Sequence, residues 1–356
     1  MKKLTFLFCI TIILVLSFSL CISCTNEPTE PTQPSQPTEP SKPAETVTLR
    51  LTMVQPPMDP IAEQTMLMAE KFNERAGGSY VIEVYPAEQL AKYPESMDVI
   101  RTGAVEMGNI GWGGFANSWI TLTAAEMPFL YDSVEANAEV VAELPEILDE
   151  GFQANLNIKP LACHHVEAIE IIGNKPIQTL GDWKGVKIAG ATYYGPELAQ
   201  VMGAAPVFVS YPEFYTSLEK GVVDAVFDAP TFTIIGKVFE VIKYQTICQA
   251  LGTSHGFLIN LDVWNDMPAD IQNILMEESK AAAASISDIM AGLYYTHLDE
   301  IASNGIEQFY IPKTERDRWI EQCSSFIAEQ EDAMGPMFDQ IKQAAMAANK
   351  KFPYKY

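Results

Sequence analysis

Ile100-Arg-Thr-Gly-Ala-Val-Glu-Met107 and Leu218-Glu-Lys-Gly-Val-Val-Asp-Ala225 follow one plan at two distant places in the chain. In each, a helical pattern (Pro94–Thr102, Pro212–Lys220) stops at a glycine, Gly103 or Gly221. An apolar strand pattern then begins at once, over Val105–Ile110 or Val222–Phe227. Glycine takes the left-handed conformation of such a helix stop at no steric cost. Two copies of a helix–glycine–strand connection predict two α/β lobes of related construction. The rival reading is chance recurrence of a common connection.

Around the first copy the alternation continues. Val47–Val54 reads as a strand. Asp59-Pro60 supplies an N-cap and a first-turn proline for an amphipathic helix over Ile61–Arg75, which Gly77-Gly78 closes. Tyr80–Tyr85 alternates as a strand. Further on, Ile271, Ile274, Leu275, Ile286, Ile289, Met290 and Leu293 keep helical spacing from about Pro268 to Asn304, with Gly305 as the stop. One helix of that length would extend on the order of 55 Å and straddle both lobes. Two shorter helices in succession are the alternative.

Composition narrows the function. Of 356 residues 48% are hydrophobic, and 46 acidic against 23 basic side chains leave a formal charge of −23. A chain of 356 residues suggests two domains. Such an acidic surface repels phosphate backbones and anionic lipid, which argues against nucleic-acid partners. Six cysteines do not make a disulfide framework. Met1-Lys-Lys followed by the apolar run Leu4–Ile22 and Ser23-Cys24 reads as a lipoprotein signal over residues 1–23, with Cys24 as the lipidated residue. An uncleaved membrane helix is the alternative, since about 20 apolar residues can span. Residues 24–46 form a tether in which proline recurs every third residue from Pro28 to Pro43. That period favours an extended polyproline II spacer of roughly 60 Å, against the rival of a proline-rich recognition ligand. The expected location is extracytoplasmic, anchored to the bacterial membrane by lipid.

Catalytic and metal signatures are few. Gly111-Trp-Gly-Gly114 matches neither a P-loop nor a dinucleotide fingerprint, and no His-Glu-x-x-His occurs; the one Cys-x-x-Cys, Cys21-Ile-Ser-Cys24, lies at the end of the signal segment, and Gly252-Thr-Ser-His-Gly256 matches Gly-x-Ser-x-Gly by spacing alone. The histidines are His164, His165, His255 and His297; Cys163, Cys248 and Cys323 are isolated and read as buried small hydrophobes. Neither a cofactor nor a metal is expected.

A longer set of motifs now stands together. These are Phe72-Asn-Glu-Arg-Ala-Gly-Gly-Ser-Tyr-Val-Ile-Glu-Val-Tyr-Pro-Ala-Glu-Gln-Leu90, Val99-Ile-Arg-Thr-Gly-Ala-Val-Glu-Met-Gly108 and Met127-Pro-Phe-Leu-Tyr131. After them come Thr179-Leu-Gly-Asp-Trp-Lys-Gly-Val-Lys-Ile188, Met202-Gly-Ala-Ala-Pro-Val207, Glu213-Phe-Tyr-Thr-Ser-Leu-Glu-Lys-Gly-Val-Val-Asp-Ala225 and Trp264-Asn-Asp-Met-Pro268. Their order and spacing over residues 47–350 resemble the substrate-binding proteins of TRAP (tripartite ATP-independent periplasmic) transporters. The resemblance implies a two-lobed α/β fold of the periplasmic-binding-protein type (type II-like): mixed sheets flanked by helices, a hinge, and a long helix crossing both lobes. The lobes are expected at 47–170 plus 255–290 and at 171–254 plus 291–350. It further implies a receptor without catalysis that captures a small organic molecule between the lobes and delivers it to a membrane permease. A receptor feeding a signalling partner is the first alternative and an extracytoplasmic enzyme the second.

Two departures bear on the ligand. The family's usual Lys-Ile-Arg, whose arginine pairs with a ligand carboxylate, reads Lys187-Ile-Ala189 here. The family's Gly-x-Glu-Asn becomes Ala225-Val-Phe-Asp228, placing Phe227 at the acid and Asp228 at the amide. Both changes move the site toward negative and point to a neutral, aromatic or cationic ligand. The expected ligand-facing residues are Trp112, Phe115, Ala189, Tyr193, Tyr211, Glu213, Phe227, Asp228 and His165, with Tyr194 and Phe208 as further aromatics. Structural readings stand beside them: aromatics at strand ends are mostly core, Asp228 can cap the helix beginning at Pro230, and Glu213 can serve a helix start. A carboxylate ligand could still be held by Arg50, His164, His165 or helix N-termini.

Overall fold

The computed structural model describes residues 46–190 and 192–356. The signal peptide, Cys24 and the tether up to residue 45 lie outside the described residues.

In chain order the elements are β1 (Val47–Met53), α1 (Pro60–Arg75), β2 (Tyr80–Tyr85), α2 (Tyr93–Arg101), β3 (Met107–Gly111), α3 (Val134–Ile147), α4 (Asp149–Leu156), β4 (Ile158–His164), β5 (Ile169–Gly173), β6 (Lys187–Gly190) and α5 (Gly195–Val201). There follow β7 (Ala205–Pro206), α6 (Phe214–Glu219), β8 (Ala225–Asp228), α7 (Pro230–Ile235), β9 (Tyr244–Leu251), β10 (His255–Asn260), α8 (Leu261–Asp266), α9 (Ala269–Ser303), β11 (Glu307–Tyr310), α10 (Lys313–Met334) and α11 (Pro336–Lys351).

The strands make two sheets, β2-β1-β3-β10-β4 and β11-β9-β5-β8-β6-β7. Within the first, β1, β2 and β3 are parallel and β10 is antiparallel to both β3 and β4. Within the second, β5 is antiparallel to β8 and β9, while β6 runs parallel to β8. The chain changes sheet from β4 to β5 and returns from β9 to β10. Gly173 shows how tightly β5 and β8 approach. A Cβ there would overlap the Asp224 carbonyl oxygen and lie 2.6 Å from the Ala225 Cα. Neither backbone atom can move without parting the ladder, so Gly173→Ala is expected to cost about 2–3 kcal/mol. A urea unfolding midpoint unchanged from wild type would contradict this.

The repeated connection of the sequence is also structural. Gly103 and Gly221 have φ of 72° and 67°, and β3 and β8 follow them. The acid of each copy braces the same edge of its sheet: Glu106 binds Arg50, and Asp224 binds Lys175 and the Lys187 backbone N–H. At the start of α1, Asp59 Oδ1 accepts the Ile61 N–H at 2.8 Å as its N-cap.

The long pattern is one helix, α9, of 35 residues. Its first part buries Ile271, Leu275, Ile286 and Met290 in the core formed with β1 and α1. Its last part buries Tyr294 and Leu298 beside Ile247, and Ile301 beside Ile172 and Val226. The change of core falls between Met290 and Tyr294, so one rigid element serves both sheets. Near the C-terminus α11 returns to α3, where Asn349 bonds the Leu130 carbonyl and the Asp132 N–H, so residues 336–351 do not pack with the second sheet alone.

Candidate functional site

Topology locates the site before any side chain does. The carboxyl ends of β1, β3 and β4 share one edge of the first sheet with the amino end of β10. The carboxyl ends of β6, β8 and β9 share an edge of the second with the amino end of β5. Two short connections join these edges, residues 165–168 and 252–254. At no more than about 3.6 Å per residue they hold the edges close together. Crevices outside the carboxyl ends of strands are where open α/β sheets bind ligands.

The connections are tied to each other. Thr253 Oγ1 accepts the N–H groups of Val166 and Glu167 and donates to the Glu167 carbonyl. His165 Nδ1 lies 2.7 Å from Asn137 Oδ1, and its backbone N–H donates to Ser287. Glu167 accepts both the N–H and the hydroxyl of Thr231, and His297 stands 3.7 Å from it.

The facing edges carry polar atoms that find no partner among the described residues. Gln55 Oε1 follows β1, Trp112 Nε1 follows β3 and Ser254 Oγ precedes β10; each is buried and unbonded. Glu126 Oε2 is a fourth, and Glu126 closes the 3-10 stretch Ile120–Glu126. Its carboxylate rests on the turn after β3, where a Cβ at Gly113 would overlap it. It also draws on the Tyr193 backbone N–H in the loop after β6. Nearby, the Tyr194 hydroxyl lies 2.8 Å from Thr123 Oγ1. Native interiors satisfy nearly all buried polar groups, so each such atom beside the strand ends is a place where a further partner fits; other unbonded atoms, among them Trp183 Nε1, Gln245 Nε2 and Ser279 Oγ, lie elsewhere in the fold.

The electrostatics are one-sided. Burial raises the carboxyl of Glu126 to about 7 and that of Asp228 to about 8, with nearby Glu167 adding to the second. Burial also raises Asp59, again with Glu167 contributing. Burial lowers His164 and His165 to about 3 and His255 to about 4, which leaves these imidazoles neutral. Among the described residues Arg316 is the one buried lysine or arginine. It is committed to Asp132 and to the carbonyls of Tyr131 and Cys248.

The sequence-derived residues divide. Trp112, Phe115, Tyr193, Asp228 and His165 all lie on these edges or on the connections between them. Trp112 is fully buried edge-on to Phe152, and Phe115 packs edge-on to Tyr93 at 5.1 Å. Asp228 uses both oxygens locally, accepting the Ala229 N–H and the Thr233 hydroxyl at the start of α7. Phe227 faces Trp183 inside the second lobe, and Tyr211 packs on Phe214 and Phe232. Ala189 is 2% exposed and packs among Val209, Phe214 and Val226 on one face of β6. Glu213 is exposed and completes a capping box with Ser210, while Phe208 is 97% exposed. Arg50 is no substitute cation, because Glu106 and the Ala104 carbonyl hold it at the opposite edge of the first sheet. Nor do His164 and His165 serve, being neutral.

Sequence reasoning missed Gln55, Tyr93, Glu126, Glu167 and Ser254. Glu126 did leave a signal: it is the sole charge in the stretch Phe115–Tyr131. A groove of about 740 Å³ lies elsewhere, on the outer side of the first sheet between α3, β4 and α9, lined by Glu139, Asp149, Lys159, Lys280 and Asp288 among others.

Comparison with known proteins agrees with this geometry. Residues 51–332 match the family model of the bacterial extracellular solute-binding proteins, family 7. The C4-dicarboxylate-binding periplasmic protein DctP of Rhodobacter capsulatus is 24% identical over 301 residues, covering 82% of this chain and 89% of that protein. Among solved structures, a TRAP periplasmic solute-binding protein from Ochrobactrum anthropi, with its C-terminus bound in the ligand-binding pocket, superposes with a TM-score of 0.80 at 21% identity. The match covers 88% of this chain and 100% of that one. A Bordetella pertussis extracytoplasmic solute receptor binding pyroglutamic acid, DctP7, has a TM-score of 0.76 at 19% identity, covering 85% and 100% of the two chains.

Proposed function

The chain belongs to the bacterial extracellular solute-binding proteins of family 7, and from that premise we propose the finer points of its work as a TRAP-type receptor. It takes a small organic molecule between the two facing sheet edges and hands it to a membrane permease without chemical change. Trp112, Phe115, Tyr193 and His165 contribute to the binding surface, joined by Gln55, Glu126 and Ser254. Cys24 carries the lipid that holds the receptor at the membrane, and the tether gives it reach.

The observation that carries the reading is the group of unbonded buried polar atoms at the facing edges, in a region with no available cation. A ligand supplies their partners. It is neutral or positively charged, because a carboxylate would enter beside Glu126, Glu167 and Asp228 with no guanidinium to meet it.

A thermal-shift screen of organic acids, neutral aromatics and amines tests this. A ligand that binds only the folded chain raises its midpoint, by about 2.7 kcal/mol of stability at a hundredfold excess over Kd. Amines or neutral rings are expected to stabilise while simple carboxylates stay silent. Small-angle scattering should show compaction with the same compounds, as lobes close over a ligand. Stabilisation by simple carboxylates alone would overturn the ligand reading.

A further inference from the structure

We infer that this receptor recognises an organic ammonium ion, whose charge is met by the free carboxylate oxygen of Glu126 and whose carbon skeleton lies against the neighbouring aromatic rings. The inference rests on the receptor reading above and narrows its ligand class.

Glu126 is buried, yet one oxygen has no donor and no lysine or arginine pairs with it among the described residues. A stranded carboxylate of this kind costs several kcal/mol unless a cation or a proton compensates it. In its present position the carboxylate occupies the space a Cβ at position 113 would take, so Gly113 leaves it room. Around it stand Tyr93, edge-on to Phe115 at 5.1 Å, and Tyr193, edge-on to Tyr194 at 4.9 Å. A carboxylate beside aromatic rings can hold an ammonium group through charge, with the rings adding cation–π attraction or apolar cover. The ionisable groups that feel Glu126 are Tyr93 from α2, Tyr131 from the loop before α3, and Tyr194 from the loop before α5. All three are phenols that burial keeps protonated, so none competes for its charge.

A proton signature follows. Without ligand the Glu126 carboxyl holds its proton up to about pH 7. An arriving ammonium ion displaces that proton. Apparent affinity should therefore rise about tenfold per pH unit below 7 and level off above it.

The test uses the full mature chain and three probes of one shape: tyramine, para-ethylphenol and para-hydroxyphenylacetate, with choline as a second cation. Calorimetry is run at pH 6, where Glu126 still holds its proton, in two buffers of different ionisation enthalpy. The expected result is binding of at least one cation, at least tenfold tighter than either uncharged or acidic probe, with proton release. Glu126→Gln should weaken that cation at least tenfold while the ligand-free chain melts no lower. If Glu126→Gln does not fold, the wild-type proton count decides. Silence of both cations at millimolar concentration, binding without proton release, or undiminished binding to Glu126→Gln overturns the inference. Binding of para-hydroxyphenylacetate with compaction would overturn it and leave the receptor reading standing. A protein that compacts with no compound of any class would count against the receptor reading itself.

Discussion

Replacing Arg316 with methionine is expected to destabilise the protein by about 3–5 kcal/mol, from two buried carbonyls left without a donor and the partly exposed Asp132 left without its partner. Arg316 is 2% exposed. Its guanidinium makes three hydrogen bonds at once: Nη1 donates to Asp132 at 2.9 Å, Nη2 to the Tyr131 carbonyl at 2.7 Å and Nε to the Cys248 carbonyl at 2.9 Å. Its plane stacks at 4.6 Å on Tyr354 and at 5.5 Å on Phe129. One side chain from α10 thus joins β9, the loop before α3 and the C-terminal tail. Methionine fills the volume but strands two buried carbonyls, each costing about 1–3 kcal/mol. Arg316→Lys should recover less than half the loss, because an ammonium cannot reproduce the planar fork. Urea unfolding of the three proteins checks this. A loss under 1 kcal/mol for the methionine variant would mean that the carbonyls rehydrate freely and that Arg316 is no clamp.

Arg316 also explains a motif that was visible without its purpose. Met127-Pro-Phe-Leu-Tyr131 is one of the motifs that carry the family resemblance, and it presents the Tyr131 carbonyl and the Phe129 ring to a side chain 185 residues later. Nothing local announces such a partner. Local rules reached further where one segment decides the outcome. The Asp59-Pro60 start of α1, the glycine stops at Gly103 and Gly221, and the whole extent of α9 were legible because caps, φ preferences and periodicity act within a few residues. β3 starts two residues later than its apolar pattern, at Met107, because Val105 and Glu106 complete the turn that braces Arg50. The site was half legible for the same reason. Trp112 and Tyr193 follow strands and Asp228 ends one, so all three could be placed by counting strand ends. Glu126 comes from a 3-10 stretch that is no part of either sheet, and only the packed fold brings it against Gly113. Ala189 was readable as a lost arginine, but its burial among Val209, Phe214 and Val226 required the structure.

Stability should depend on pH in an unusual way, with a plateau between about pH 4.5 and 6.5 and a fall on both sides. Two opposed sets of buried groups produce it. Burial raises Glu126 and Glu170 to about 7 and Asp228 to about 8, so the folded chain keeps protons that the unfolded chain releases near 4. Their contribution is complete at low pH and is lost as pH rises through 7 to 8. Burial lowers His164 and His165 to about 3 and His255 to about 4, so here the unfolded chain takes up protons first, from 6.5 downward. That contribution is complete above 6.5 and is lost as pH falls. Between 4.5 and 6.5 three carboxyls hold extra protons in the folded state and three imidazoles lack them, so the slopes cancel. Above 6.5 the carboxyls act alone, and stability should drop by roughly 3 kcal/mol by pH 8. Below 4.5 the imidazoles act alone, reinforced by Glu106, Asp224 and Glu315, whose carboxyls ion pairs and hydrogen bonds hold below the ordinary range. Melting curves at pH 5.5 and pH 8 should differ by roughly 6–10 °C, the lower value at pH 8. Glu126→Gln removes one of the three alkaline contributions and should narrow that gap by about a quarter or less. Asp228→Asn, which removes the group that titrates highest, should narrow it by more. A midpoint that instead rises steadily toward pH 8 would show these carboxyls ionised at no cost in the folded chain. Their burial would then be compensated from within the protein, and no cation would be wanted at the facing edges.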